Sequence, residues 1–257
     1  MVKKELCEII SNREIAYRIY EMKVSAQLAA DINAPGQFVH IRITNGLDPL
    51  LRRPISISSF DKKNKEITFV YRIEGRGTAL MAAMQPGMSL DILGPLGNGF
   101  PIEAVDNGET ALLVGGGVGI PPLLELSNQL ACKGVNVIHV LGFQTKQVVF
   151  YAQEFSKNGL TYVTTADGSY GKKGFVTDVI KALSFDCLYT CGPLPMLKAI
   201  WQEYQEKKIY LSMEERMGCG IGACLACVCK SKDDGLAVSY KKVCSDGPVF
   251  RGGEVLL

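Results

Sequence analysis

The chain has 257 residues, 47% of them apolar, and 28 Lys and Arg balance 26 Asp and Glu to a net charge of +2. That much apolar material builds a sizeable core in one large or two small domains and excludes a disordered chain. The charges are interspersed with no dense basic run, which argues against a nucleic-acid partner. A membrane span is not expected either. The longest uncharged apolar stretch, residues 111–124, is short and holds Pro121 and Pro122. The opening "MVKKELCEII" is interrupted by Glu5 and Glu8, so no signal-peptide core forms there. The nine cysteines are therefore expected to be reduced, metal-bound or buried.

The first hundred residues read as strands. "IAYRIYEMKV", "FVHIRI", "PISISSF" and "EITFVYRI" are alternating or rich in β-branched and aromatic residues, and "NAPGQ" and "DKKNK" separate them as turns. Many short strands with a single predicted helix, "GTALMAAM", suggest a small antiparallel barrel. Two places on it could bind anions. In "RRPISI", Arg53 offers a guanidinium fork and Ser56 a hydroxyl. In "GRGTALM", Gly77 and Thr78 stand at the predicted helix N-terminus. Each has a plainer alternative, a surface arginine and a capped helix. Together they could hold one pyrophosphate.

After Pro101 strands alternate with helices. "TALLVGG", "VNVIHVLG", "LTYVTTA" and "CLYTCG" read as strands; "PPLLELSNQLACKG", "FVTDVIKAL" and "PLPMLKAIWQEYQEK" read as helices. This is the rhythm of a parallel α/β sheet. "VGGGVGIPP" follows the first strand and opens a helix, with Gly117, Gly119 and Pro122 in a G-x-G-x-x-P pattern. Such a turn lets a dinucleotide pyrophosphate approach backbone N–H groups; the alternative is an ordinary strand–helix turn. Cys191, Gly192 and Pro193 end a later strand and would face the same crevice, or else are a buried cysteine and a helix-starting proline. The next strand ends in "LGFQTK" without the ribose-binding acid, so NAD and NADP stay undistinguished, and Lys146 reads as a surface lysine.

Past Lys208 come one strand, "IYLSME", and then a cysteine-rich, loop-rich end. Cys219, Cys224 and Cys227 follow C-x4-C-x2-C, and sixteen residues separate Cys227 from Cys244. This is the plant-type [2Fe–2S] spacing, with two thiolates for each iron. Zinc sites favour well-separated C-x2-C pairs, and disulfides do not suit a chain without an export signal. Cys229 is left outside the ligand set as a buried thiol, and Cys7, Cys132 and Cys187 are assigned to cores. The predicted organisation is an antiparallel β-barrel over residues 1–101, a parallel α/β domain over 102–210 and a [2Fe–2S] module over 211–257. His40 and His139, the only histidines, fall in strands, and no acid/base constellation suggests itself.

Arg-x-x-Ser, Gly-x-Gly-Thr, G-x-G-x-x-P and C-G-P, in that order, resemble the ferredoxin–NADP reductase superfamily, an FAD-binding barrel joined to a nicotinamide-binding α/β domain. The resemblance implies that Arg53, Pro54, Ile55 and Ser56 contact FAD, together with Val70, Tyr71, Arg72, Gly77 and Thr78. It likewise implies that Gly117, Gly119, Pro122, Cys191, Gly192 and Pro193 line the NAD site. Nicotinamide exchanges two electrons at once and the cluster one, so a flavin is the converter between them. "SMEERMGCGIGACLACVCK", "DGSYGKKGFVTD", "CGPLPML" and "VCSDGPVF" more narrowly resemble the electron-transfer subunits of type B dihydroorotate dehydrogenases. That likeness implies a cytoplasmic subunit with FAD and a [2Fe–2S] cluster. It would take electrons from an FMN-containing catalytic subunit, in a heterotetramer with two of each, and pass them to NAD in pyrimidine synthesis. Related flavin subunits serving a hydrogenase, sulfide dehydrogenase or transhydrogenase are the nearest alternative, and a zinc-stabilised interaction module is a third.

Overall fold

Strict alternation along the first strand starts the barrel: Cys7 and Ile9 point inward while Leu6, Glu8 and Ile10 face out. A computed structural model describes residues 1–231 and 239–257. Strands β1 (Lys3–Ala16), β2 (Ile19–Ser25), β3 (Phe38–Arg42), β4 (Arg53–Asp61), β5 (Glu66–Arg72) and β6 (Ser89–Leu96) close in the order β1-β2-β5-β4-β3-β6, all pairs antiparallel. Helix α1 (Arg76–Ala82) follows β5. The stretch "IAYRIYEMKV" that reads as one strand contains the turn of a hairpin, at Tyr17 and Arg18. It breaks between β1 and β2, with Arg18 at φ 58°. No Gly, Pro, Asn or Asp marks this turn. Arg18 is held there by donating its N–H to Glu14 and its guanidinium to the Ile73 carbonyl.

The second sheet has the order β10-β9-β8-β7-β11-β12-β15. Its members are β7 (Thr110–Gly116), β8 (Asn136–Phe143), β9 (Gly159–Thr165), β10 (Lys172–Lys173), β11 (Cys187–Cys191) and β12 (Lys208–Ser212), all parallel, and the antiparallel edge β15 (Val249–Arg251). Leu123, Leu126 and Leu130 of α2 (Pro122–Cys132) and Phe155 of α3 (Ala152–Ser156) cover one face. On the other lie α4 (Thr177–Ile180), α5 (Leu194–Glu203) and the C-terminal cysteines Cys227, Cys229 and Cys244. A two-stranded piece, β13 (Val228–Ser231) with β14 (Ser239–Lys242), completes the described elements. The cysteine-rich end is therefore built into the sheet, through β15 at its edge. No helix among the described residues is long and apolar enough to cross a membrane.

Two further expectations need correction. "FVTDVIKAL" forms only the single turn of α4, and the bonds after it run from Ala182 to Val179 and from Leu183 to Ile180 in the tighter i→i−3 pattern. Four β-branched residues in five (Val176, Thr177, Val179 and Ile180) weaken a longer helix there. Cys132 is exposed rather than core, because it falls off the α2 stripe that buries Leu123, Leu126 and Leu130. Cys7 and Cys187 are buried.

The two arginines of "RRPISI" do different work. Arg52 donates to Asp91 Oδ1 at 2.8 Å and to the His40 carbonyl at 3.1 Å, tying β4 across β3 to β6. Lys4 approaches the other Asp91 oxygen at 3.4 Å. Arg52→Leu strands a nearly buried carboxylate. It is expected to cost about 2 kcal/mol, less than the roughly 3–5 of a fully buried pair because Lys4 remains. A lowered urea midpoint would report it, and the cost should shrink when Asp91→Asn is combined with it.

Candidate functional site

A cleft of about 360 Å³ opens where the barrel, the α/β sheet and the cysteine-rich end meet. Its barrel wall arises from an interrupted ladder. Residues 53–56 of β4 pair with β3 (Ile41↔Arg53, His40↔Pro54, Val39↔Ile55, Phe38↔Ser56), but the register with β5 starts only at Ile57↔Phe69. Val70, Tyr71 and Arg72 pair with β2 on their far side. Two strand edges thus face each other across the cleft without a ladder between them. Backbone polar groups there need partners, and the hydrogen-bonding rim of a flavin ring fits such a gap. Arg53, Pro54, Ile55, Ser56, Val70, Tyr71, Arg72 and Thr78 all line it. Strand alternation alone would put Arg53 and Ser56 on opposite faces; the open edge is what exposes both.

At one end of the cleft Arg53 meets the start of α1. A methyl group built at Gly77 would stand 2.6 Å from Arg53 Nε, so the guanidinium lies directly on the glycine. The Thr78 hydroxyl accepts the N–H groups of Glu74 (3.0 Å) and Gly75 (3.2 Å), shaping the turn. The first-turn N–H groups of α1 have no intrahelical acceptor. Arg72 and Arg76 are engaged by Glu74 and Asp48. Among the described residues Arg53 forms no ion pair, and its Nη1 donates only to carbonyls, that of Leu51 at 2.5 Å being the closer. A guanidinium without a carboxylate partner, set over the start of a helix, is a fitting cradle for a pyrophosphate. Tyr71 is held in the wall by its hydroxyl, which donates to Asn12 Oδ1 at 2.9 Å, while Asn12 donates to the Met81 and Met84 carbonyls at the end of α1.

The order in which strands are added reverses between β7 and β11, the switch point where open α/β sheets bind ligands. Both predicted nicotinamide motifs stand there. Gly117 takes φ 54° with open space around it. A methyl group at Gly119 would meet the Cys191 carbonyl at 2.5 Å, and one at Gly192 would meet the Gly116 nitrogen at 3.0 Å. The glycine turn and the loop of Cys191, Gly192 and Pro193 are thus locked together, with Pro122 as the first residue of α2. Val118, at the centre of the turn, lines the cleft.

Sequence reasoning passed over the third wall. Ser212, the last residue of β12, and Met213, Glu214, Glu215 and Met217 after it line the cleft. Burial raises the Glu214 carboxyl above its ordinary range, the Glu74 charge adds to this and Arg72 opposes it. The available signal was position: these residues leave the carboxyl end of a parallel strand, where ligands of such sheets bind.

The same segment runs into the cysteine loop. Backbone N–H groups of Ile221 (3.5 Å), Ala223 (3.3 Å) and Cys224 (3.4 Å) point at Cys219 Sγ. Against desolvation, which raises it, the N–H groups of Ile221, Cys224 and Ala223 bring the Cys219 thiol down to about 6. Gly222 takes φ 82° and donates to Cys244 Sγ at 3.2 Å. The Cys219 N–H reaches Cys224 Sγ and the Cys244 N–H reaches Cys227 Sγ, both at 3.4 Å. Desolvation raises Cys244 to about 12, with the Cys227 side chain adding to it. Among the described residues no three His, Cys, Asp or Glu side chains form a group that could hold a metal ion. Backbone N–H···S contacts instead relate the four cysteines as two pairs, Cys219 with Cys224 and Cys227 with Cys244. A donor set of two thiolates per iron, ringed by N–H groups, fits a [2Fe–2S] cluster. Cys229 lies apart in β13, buried, its thiol on the Lys241 carbonyl at 3.5 Å. His139 is a sheet residue held by Ser127 (2.8 Å) and Thr161 (3.0 Å).

Residues 214–256 match the family model described as the iron-sulfur cluster binding domain of dihydroorotate dehydrogenase B. The chain is 57% identical, over 100% of both lengths, to the dihydroorotate dehydrogenase B (NAD(+)), electron transfer subunit, of Geobacillus sp. (strain WCH70). The protein of that name from Bacillus cereus (strain G9842) matches equally, at 57% over 100% of both. A solved structure described as an NADH-dependent reduced ferredoxin-NADP oxidoreductase, in work on flavin-based electron bifurcation, superposes with a TM-score of 0.86. It is 30% identical, with 98% of this chain and 90% of that chain covered. Ferredoxin-NADP+ reductase from Plasmodium falciparum shares the fold, with a TM-score of 0.64 at 15% identity over 78% of this chain and 90% of that one.

Proposed function

The chain belongs to the family of dihydroorotate dehydrogenase B (NAD(+)) electron transfer subunits, and from that premise we propose that it relays electrons from an FMN-containing, dihydroorotate-oxidising catalytic subunit to NAD+. The observation that carries this reading is the shared cleft. One wall is the open barrel edge, a second is Val118 of the glycine turn, and the third is the segment that becomes the cysteine loop. A flavin seated there would lie between a nicotinamide site and a cluster site.

Bound in the cleft, FAD supplies the exchange between one-electron and two-electron chemistry. Arg53 and the α1 N-terminus would hold its pyrophosphate, and the strand edges at residues 53–56 and 70–72 its ring. Gly117, Gly119, Pro122, Cys191, Gly192 and Pro193 would seat NAD+ at the switch point. Cys219, Cys224, Cys227 and Cys244 would bind the cluster, with the N–H groups around Cys219 stabilising negative charge on sulfur. The subunit works in the cytoplasm, in a heterotetramer with two copies of each chain, and serves pyrimidine synthesis.

Co-expression with the candidate catalytic subunit tests the proposal. The purified complex should reduce NAD+ with dihydroorotate, and the catalytic subunit alone should not. A chain that instead co-purifies with a hydrogenase, sulfide dehydrogenase or transhydrogenase subunit would support the alternative reading.

A further inference from the structure

Strand β3 is buried on both faces, and the two faces serve different parts of the molecule. Val39 and Ile41 point into the barrel core. Phe38 points out, into the cluster of side chains that includes Cys227, Cys244 and Met213. His40 is fully buried, on the same parity as Phe38. Its cross-strand neighbour on β4 is Pro54, a residue of the cleft wall. What covers the imidazole is the cysteine loop. A methyl group built at Gly220 would stand 2.7 Å from His40 Nδ1, so the Nδ1 side of the ring lies against the residue that follows Cys219. Neither ring nitrogen reaches full hydrogen-bond geometry among the described residues; its polar contact with the Cys219 backbone is a loose one. Burial holds the ring neutral, with Arg52 and Arg53 acting in the same sense and the Cys219 backbone opposing them. A buried, unpaired polar ring is costly in a barrel wall, and a phenyl or leucine side chain would fill the space without that cost.

We propose that His40 is a positioning residue for the iron–sulfur loop. Its imidazole seats the turn at Cys219 and Gly220 on the barrel strand that backs the flavin cleft, and presents a polar edge to that turn. Gly220 is then required for two separate reasons, its φ of 74° and the ring beneath it. Groups of this kind, which orient a ligand without touching the metal, set cluster retention and potential. The inference rests on the assignment of the cluster to Cys219, Cys224, Cys227 and Cys244, which ligand variants test separately. It does not depend on which partner the relay serves.

The experiment uses the full chain purified anaerobically with FAD and cluster, and reads three quantities: the EPR g-values of the reduced cluster, its midpoint potential, and the rate of iron release to a chelator. His40→Ala should alter the g-values and the potential and release iron roughly tenfold faster, with FAD content unchanged. His40→Asn, which keeps a polar atom near the Nδ1 position, should recover most of the wild-type behaviour. Gly220→Ala should speed iron release strongly in the wild-type background and much less in His40→Ala, where the ring no longer opposes the methyl group. Should His40→Ala also lose FAD, the asparagine variant and the coupling between positions 40 and 220 decide the matter. Wild-type values for His40→Ala in all three readings would overturn the proposal. So would a Gly220→Ala penalty equal in both backgrounds, or a His40→Asn protein as impaired as His40→Ala.

Discussion

Cys224→Ser is expected to lower iron and acid-labile sulfide per chain by more than about tenfold, while Cys229→Ser keeps both near wild type. The two thiols are only five positions apart, yet their surroundings differ in kind. Cys224 is exposed on the loop, its sulfur accepts the Cys219 N–H, and its own N–H points at Cys219 Sγ. It is half of one sulfur pair. Cys229 sits in β13 opposite Lys241, with its thiol spent on the Lys241 carbonyl and its side chain in the core. A serine hydroxyl ionises far less readily than a thiol, so it is a much weaker substitute for a thiolate on iron at neutral pH. At position 229 it can still donate to the same carbonyl, and the cost is about 1–3 kcal/mol of packing and polar burial. Stability should fall in Cys229→Ser without loss of colour. Equal iron loss in both variants would mean that the ligand set is wrong.

Elements with a strong local signature were legible in the sequence. The barrel followed from alternation, the parallel sheet from the strand–helix rhythm, and α2 from its apolar stripe behind Pro122. What was not legible depends on contacts distant along the chain. The hairpin at Tyr17 and Arg18 carries no turn residue and is fixed by a guanidinium reaching Ile73. Spacing alone could not divide labour between Arg52 and Arg53, because the division comes from Asp91, on a strand almost forty residues away. Glu214 and Met217 belong to the cleft only because β12 lies next to β11 and the chain then turns toward the barrel. The attachment of β15 to the α/β sheet was hidden for the same reason. Three residues with no helix beside them say nothing of the edge they will cover.

Flavin retention is the sharper test of the cleft. Arg53→Ala should weaken FAD binding by roughly 10–100-fold, as expected for loss of a charge-assisted bond to phosphate worth about 1.5–3 kcal/mol. FAD per chain after desalting, and a titration of the deflavinated protein followed by flavin fluorescence, measure it. Arg53→Lys should fall between wild type and alanine, since an ammonium keeps the charge but not the fork. Gly77→Ala separates geometry from charge. Its methyl group would lie 2.6 Å from Arg53 Nε, so the guanidinium must leave its place over α1 although every charge in the cleft remains. Flavin affinity should drop in this variant as well. Arg52→Leu is the control, because Arg52 is committed to Asp91 and the His40 carbonyl; it should lower the urea midpoint more than it lowers FAD affinity. If Arg53→Ala and Gly77→Ala both retain FAD at the wild-type level, the phosphates lie elsewhere, and the unpaired edges of β4 and β5 are then the part of the flavin site that still stands.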